Sequence, residues 1–129
     1  MYNNPYQVYK NQSLQTLTQG EILVKLFEEA IKQINISIIL SERKEQVAAY
    51  NCIAKAQKIV STLRSSLDMN YAISINLSEL YLFVYDNLSK AHLDHDDILL
   101  KRLAKILENL RDGFREADKI ARAEKKSVG

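Results

Sequence analysis

The residues best suited to chemistry lie in the segment HLDHDD, residues 92–97. His92 and His95 are about one helical turn apart and carboxylates flank them, so the segment could supply metal ligands. A metal site in a helical bundle needs ligands that converge from facing helices, such as Glu-x-x-His pairs, and the sequence has no Glu-x-x-His. We therefore expect no metal site and interpret the acids as a polar turn that complements the next helix N-terminus.

The single cysteine is the other candidate for chemistry. Cys52 lies among Ala49, Ala56 and Ile59 at helical spacing, and no histidine stands near it in sequence. A small buried thiol fits this position better than a nucleophile. The chain also lacks a P-loop, a dinucleotide fingerprint and a nucleophile elbow, so we expect no enzyme and no cofactor.

Length and composition favour one helical domain. The chain has 129 residues, of which 47% are hydrophobic and 26% are charged. It has only 3 Gly and 1 Pro, and so few of the turn-forming residues that sheets need. The net charge of +2 is too small to predict nucleic acid as a partner. No apolar run is suited to spanning a bilayer, and no secretory signal is present, so we expect a cytoplasmic protein without membrane insertion.

Apolar residues recur at helical spacing in four segments separated by short polar stretches. We therefore predict an all-α fold, an antiparallel up-down bundle of about four long helices. The first helix begins at a capping pair, Thr18 and Glu21, and the fourth follows Asp96, a natural N-cap. The predicted helices cover residues 18–40, 45–67, 73–93 and 98–121.

The predicted domain organisation has three parts. Residues 1–17 form a flexible N-terminal arm, with room for one short helical turn, and residues 18–121 form the helical bundle domain. Residues 122–129 are charged, have no periodic apolar face, and are expected to fray as a C-terminal tail.

Two predicted helices carry more apolar residues than one buried side can hold. The predicted core residues of the four helices are, in chain order, Leu23, Phe27, Ala30, Ile31, Ile34 and Ile38; Ala49, Cys52, Ile53, Ala56, Ile59, Val60, Leu63 and Leu67; Leu77, Leu80, Tyr81, Val84, Leu88 and Ala91; and Leu99, Leu103, Ile106, Leu107, Leu110, Phe114, Ala117 and Ala121. The surplus on the first helix, roughly 120° from its core side, is Ile22, Leu26, Ile36 and Leu40. The surplus on the third helix is Ile75, Leu82 and Leu93, with Phe83 and Tyr85 beside them.

These surplus stripes predict a binding surface. The first and third helices of an up-down bundle lie on a diagonal, so we expect the stripes to face outward on different sides. An extended, helix-forming segment that wraps the molecule could cover both. Scattered surface apolar residues of no special role, or coverage of one stripe by the N-terminal arm, remain alternatives.

Several motifs, in order along the chain, resemble one known family. They are the spaced Tyr6 and Tyr9, then Thr16-Leu17-Thr18, Ile22 to Ala30, KAQKIVSTLRSSLD at 55–68, Asn76-Leu77 with Leu80-Tyr81, and LRDGFREA at 110–117. Together they resemble the flagellin-specific secretion chaperones, the FliS family. The departures are Gln19, Lys25, Phe27 and Phe114, where that family often has Pro, Met, Tyr and Trp, and the missing Gly pair around Tyr71.

The resemblance implies a helical-bundle export chaperone. Its expected partner is the disordered C-terminal segment of flagellin, whose premature polymerisation it would prevent before delivery to the flagellar type III export gate. We expect ligand contact at the surplus positions Ile22, Leu26, Ile36, Leu40, Ile75, Leu82 and Tyr85. An alternative is a small scaffolding or regulatory protein that uses the same stripes for another helix bundle or for self-association, including a weak homodimer. Other flagellar proteins stay open as further partners.

The arm tyrosines Tyr6 and Tyr9 are expected to cover part of the binding groove when it is empty. The alternative is permanent edge packing. Deleting residues 1–12 distinguishes the two: a removable cover predicts retained folding with tighter or faster binding, whereas permanent packing predicts a lower melting temperature without that gain.

Overall fold

The computed structural model describes residues 19–128 as four helices. In chain order these are α1 (Gln19–Glu42), α2 (Gln46–Ser65), α3 (Ala72–Leu93) and α4 (Asp97–Val128). The all-α prediction is confirmed, and the predicted helix starts and ends lie within a few residues of those observed, except at the end of α4. Thr18, the expected first cap, lies outside the described residues.

Helix α4 starts where the sequence predicted, because Asp96 caps it. The backbone N–H of Leu99 donates a hydrogen bond of 3.0 Å to the Asp96 carboxylate, which satisfies one of the free donors of the first turn. The helix then continues to Val128, through most of the segment expected to fray, and its residues 121–126 are exposed. The division into arm, bundle domain and tail stays a prediction.

Two short connections at one end of the bundle reverse the chain through a residue with positive φ. Lys44 follows α1 with a φ of 61°, and His95 follows α3 with a φ of 53°. In each case the next N–H reaches back into the helix, from Glu45 to the Leu40 carbonyl at 2.9 Å and from Asp96 to the Ala91 carbonyl at 2.8 Å. These bonds are of the kind that closes a helix C-terminus with a left-handed residue.

Polar contacts between neighbouring helices establish the antiparallel order. Between α2 and α3, Gln57 bonds the Tyr85 carbonyl and Arg64 bonds Ser78, so residue numbers increase along α2 as they decrease along α3 and the two helices are antiparallel. Along α1 and α4, Glu28 pairs with Arg115 and Glu21 with Arg122 in the same reversed sense. Helix α1 packs most extensively, against α2 and α4, while α3 packs less extensively between α2 and α4. The result is a ring in which α1 and α3 lie on a diagonal.

The core fills the centre of this ring. Three aromatic rings span it, because Phe27 of α1 lies 5.6 Å from Phe114 of α4 and 6.2 Å from Tyr81 of α3, measured between ring centroids. The predicted buried position of Cys52 is confirmed. The fully enclosed members of the core from all four helices include Ile34, Ile53, Val60, Leu63, Val84, Leu88, Leu103 and Leu107.

The predicted core of α4 needs a correction at both ends. Leu100 and Ala104 are buried although they were not predicted, whereas Ala117 and Ala121 are exposed. Helix α3 begins at Ala72, and its Ile73 borders the same groove as Ala117. Helix α3 therefore only borders a groove at Ala117 and does not extend far enough to cover Ala121.

The expectations about a metal site and about a membrane-spanning segment can be compared with the described part of the chain. Between residues 19 and 128, no three or more His, Cys, Asp or Glu side chains are grouped so that they could hold a metal ion. Within the same residues, none of the helices combines the length and the apolar character that a bilayer crossing needs.

Candidate functional site

Helix α3 presents an exposed row of large apolar side chains, which we name the α3 row: Ile75, Leu82, Phe83 and Tyr85. Ile75 is 54% exposed and Leu82, seven residues further on, is 40% exposed. Positions seven apart share one side of a helix, so Ile75 and Leu82 lie along one line on α3, and Phe83 and Tyr85 lie on opposite flanks of that line. The predicted exposure of the α3 stripe is confirmed, while its contact with a ligand stays a prediction.

On one side of the α3 row lies a groove between α2 and α3. One section, of about 190 Å³, is lined by Val60, Ser61, Arg64, Tyr81, Leu82 and Tyr85. The adjoining section, of about 250 Å³, is lined by Ser61, Arg64, Ser65, Leu67, Met69 and Ser78. Because Ser61 and Arg64 border both sections, we describe them together as the α2–α3 groove. Side chain to backbone hydrogen bonds from Gln57 and Arg64 link the two helices along it.

Tyr81 forms part of the wall of the α2–α3 groove and is only 1% exposed. Burial raises the pKa of Tyr81 to about 12, so the phenol is neutral and keeps its proton near neutral pH. The Tyr81 hydroxyl makes no hydrogen bond to any residue from 19 to 128. Every side-chain polar atom in these residues that lacks a partner is at least partly accessible. The hydroxyl therefore keeps some access to the groove.

On the other side of α3 lies a more apolar groove, which we name the α3–α4 groove. It holds about 350 Å³ and is lined by Ile73, Leu77, Asn109, Leu110, Gly113, Phe114 and Ala117. A Cβ atom added at Gly113 would meet nothing within 4 Å, so the missing side chain opens this space. Leu110 and Phe114, both predicted as core residues, pack against the core and also line this groove. The sequence feature that could have predicted this groove is the spacing of small residues at 113, 117 and 121 on one side of α4.

The surplus stripe of α1 is placed differently from the expectation. Leu26 packs against the core, Ile36 and Leu40 are partly buried, and Ile22 is 38% exposed. Glu21 and Glu28 mark the side of α1 that faces α4, so the opposite flank, which holds this stripe, faces α2. The stripe is therefore used largely in the α1–α2 interface, and ligand contact by its four residues stays a prediction.

An ion-pair ladder joins the first half of α1 to the second half of α4. Arg115 pairs with Glu28 at 2.6 Å, and Arg122 pairs with Glu21 and with Asp118, each at 3.0 Å. Exposed pairs of this kind contribute about 0–1 kcal/mol each, so the ladder adds only modestly to stability. The arm residues Tyr6 and Tyr9 lie outside the described residues, and their role as a cover stays a prediction.

The histidines of the segment 92–97 are structural rather than ligand-like in their surroundings. The His92 ring packs against Tyr50 of α2 at 5.8 Å between centroids. Burial lowers the pKa of His92, and the nearby His95 lowers it further. His95 occupies the positive-φ turn that follows α3.

Comparison with the sequences of known proteins identifies the family of this chain. A sequence model of the family described as "Flagellar protein FliS" matches residues 2–121. The chain is also 25% identical over 126 residues to the flagellar secretion chaperone FliS of Bacillus subtilis strain 168, covering 98% of this chain and 95% of that protein. The match extends over nearly the whole bundle, so this chain belongs to the FliS family of flagellar chaperones.

Proposed function

We propose that the chain is a cytoplasmic secretion chaperone that binds the disordered C-terminal segment of flagellin. Binding would occupy a segment needed for filament assembly and so prevent premature polymerisation. The complex would then be delivered to the export gate of the flagellar type III apparatus. Membership of the FliS family and the name of the Bacillus subtilis relative support the chaperone role, and the α3 surface supports the mode of binding.

The single observation that carries the proposal is the exposed α3 row between two grooves. Helix α3 leaves Ile75, Leu82 and Tyr85 exposed, with a mixed polar and apolar groove on one flank and an apolar groove on the other. An extended segment could place helical anchors along the row and into either groove.

Burial of the exposed apolar side chains could offset the free-energy cost of ordering a disordered ligand. Each large apolar side chain removed from water contributes about 1.5–3 kcal/mol. Ordering a disordered segment costs about 2–5 kcal/mol of that gain. Four anchors on the α3 surface would contribute about 6–12 kcal/mol, which exceeds this ordering cost without any catalytic apparatus.

Calorimetric titration with a synthetic peptide of the C-terminal segment of flagellin from the same organism tests the proposal. Leu82→Asp should weaken binding about tenfold or more, because it puts a charge into the apolar contact. The matched control is Val47→Asp, since Val47 is 77% exposed at the start of α2 and lines neither groove. Circular dichroism should show the same helical content in both variants.

The outcomes separate the alternatives. Equal affinity of the Leu82→Asp and unsubstituted proteins for the peptide would reject the α3 surface as the binding site. Leu26→Asp is unsuitable for the same purpose because Leu26 packs against the core, so the α1 side is better tested with Ile22→Asp. Concentration-dependent sedimentation tests self-association: a stable dimer that buries the α3 row would leave no site for the peptide.

A further inference from the structure

Arg64 stands in the α2–α3 groove with part of its hydrogen-bonding capacity unused. Its Nε donates to the backbone carbonyl of Ser78 at 3.2 Å and to the Ser78 hydroxyl at 3.0 Å. A guanidinium carries five N–H donors in a rigid plane. The terminal nitrogens of Arg64 form no hydrogen bond or ion pair with any residue from 19 to 128. The side chain is thus oriented by α3 while its charged end stays available.

Helix α2, which forms one wall of this groove, is also positively charged, while α3 carries the acidic residues Glu79 and Asp86. Helix α2 contains Lys55, Lys58 and Arg64 and no acidic residue. Lys58 precedes Ser61 by three positions and so shares its side of the helix. In the described part of the chain none of these three cations has a carboxylate partner, whereas Arg111, Arg115 and Arg122 of α4 all do.

A second polar group in the same groove is unpartnered. Tyr81 is almost completely buried, and its hydroxyl has no hydrogen-bond partner among the described residues. No unpartnered side-chain polar atom in this part of the chain is fully enclosed, so the hydroxyl reaches the groove and can donate a hydrogen bond to a ligand there. A ligand seated in the groove would accept a hydrogen bond from Tyr81 and place an anion, instead of water, on the exposed guanidinium of Arg64.

We propose that the α2–α3 groove binds a helical segment that places an aspartate or glutamate side chain on the guanidinium of Arg64. The same segment accepts a hydrogen bond from the Tyr81 hydroxyl and packs its apolar side on Leu82 and Tyr85. The inference rests on the proposed function, in which this segment belongs to the C-terminal region of flagellin. It adds that recognition there depends on charge as well as apolar contact.

The geometry favours an acidic side chain over a chain-terminal carboxylate. The groove has sections that meet at Ser61 and Arg64, so an occupant passes over Arg64 rather than ending on it. Carboxylate–arginine hydrogen bonds are stronger than neutral ones and are frequently bidentate. A segment without the acid would cover Arg64 and leave its charge unpaired, which would select against purely apolar partners.

The test is calorimetric titration of the full chain with the flagellin C-terminal peptide described above, at low and raised salt. Arg64→Gln should weaken binding about tenfold and reduce its salt dependence, because an ion pair is lost. Tyr81→Phe should weaken binding about threefold or more with an unchanged or higher melting temperature, because an unpaired hydroxyl is removed. The control is Arg102→Gln, an exposed arginine of α4 with no ion pair among the described residues.

Peptide variants identify the partner group. Changing each Asp or Glu of the peptide in turn to Asn or Gln should reveal one position that reproduces the loss seen with Arg64→Gln. In the Arg64→Gln protein that same peptide should show no further loss. An amidated C-terminus should leave affinity unchanged.

Any of three results would overturn the inference. The Arg64→Gln protein could bind the peptide within twofold of the unsubstituted protein, or affinity could be lost only when the peptide C-terminus is amidated. The third result is that no Asp or Glu of the peptide has an effect that disappears in the Arg64→Gln protein. If the peptide binds and Leu82→Asp weakens it while Arg64→Gln does not, the proposed function stands and this inference fails. No binding by the unsubstituted protein would reject both.

Discussion

Gly20 and Gly113 are both helical, yet a methyl group would have opposite effects at the two positions. At Gly20 the added carbon would fall on the side chain of Asp118 of α4, whereas at Gly113 it would meet open space. We expect Gly20→Ala to lower stability by about 1–3 kcal/mol, because α1 and α4 must move apart. Gly113→Ala should raise it by about 0.5–1 kcal/mol, since alanine loses less backbone entropy in a helix. Thermal denaturation followed by circular dichroism measures both, and a Gly20→Ala protein that melts no lower would contradict the close approach.

The exposure of some single residues could be predicted from the sequence, whereas the contacts of others could not. The exposure of Ile75 and Leu82 followed from helical spacing alone, because both lie opposite a well-defined core side. Arg64 could not be identified in this way, since its orientation depends on Ser78, which is 14 residues away on another helix. Unused hydrogen-bonding capacity becomes visible only when both sides of a groove are known.

At the scale of elements, the contact between the end of α3 and the start of α2 should depend on pH. Burial lowers the pKa of His92, with a contribution from His95, so the folded protein takes up this proton less readily than the unfolded chain. Stability should therefore fall as the pH drops below about 6.5, the ordinary pKa of histidine, and be fully present above it. Urea denaturation on both sides of that pH should show a smaller loss in His92→Gln than in the unsubstituted protein. Identical losses would contradict burial of the His92 ring against Tyr50.

The helices themselves were predictable, but their flanks were not. Apolar spacing, a cap at Asp96 and short polar breaks determine where the helices lie, and these signals are local. A helical wheel gives directions only relative to the helix's own core side. It could not show that the flank of α1 with Leu26 and Leu40 faces α2, because that depends on which neighbours the helix has. The stripe on α3 stayed exposed because α3 packs less extensively.

At the scale of the whole molecule, function depends on the uneven closure of the helical ring. Helix α1 is closely packed on both sides, and α3 lies between two grooves. The scarcity of Gly and Pro and the apolar spacing were enough to predict the bundle. The grooves were not predictable, since they arise from gaps between helices, such as the space beside Gly113.

Photo-crosslinking tests the central claim most directly, because it reports the surface, the partner and the segment together. A photoreactive phenylalanine analogue would replace Leu82 in one protein and Val47 in the other, and each would be irradiated with flagellin from the same organism. The account predicts a covalent adduct from position 82, mapping to the C-terminal segment of flagellin, and little or none from position 47. An adduct formed equally from both positions, or one that maps elsewhere on flagellin, would contradict the α3 surface as the binding site.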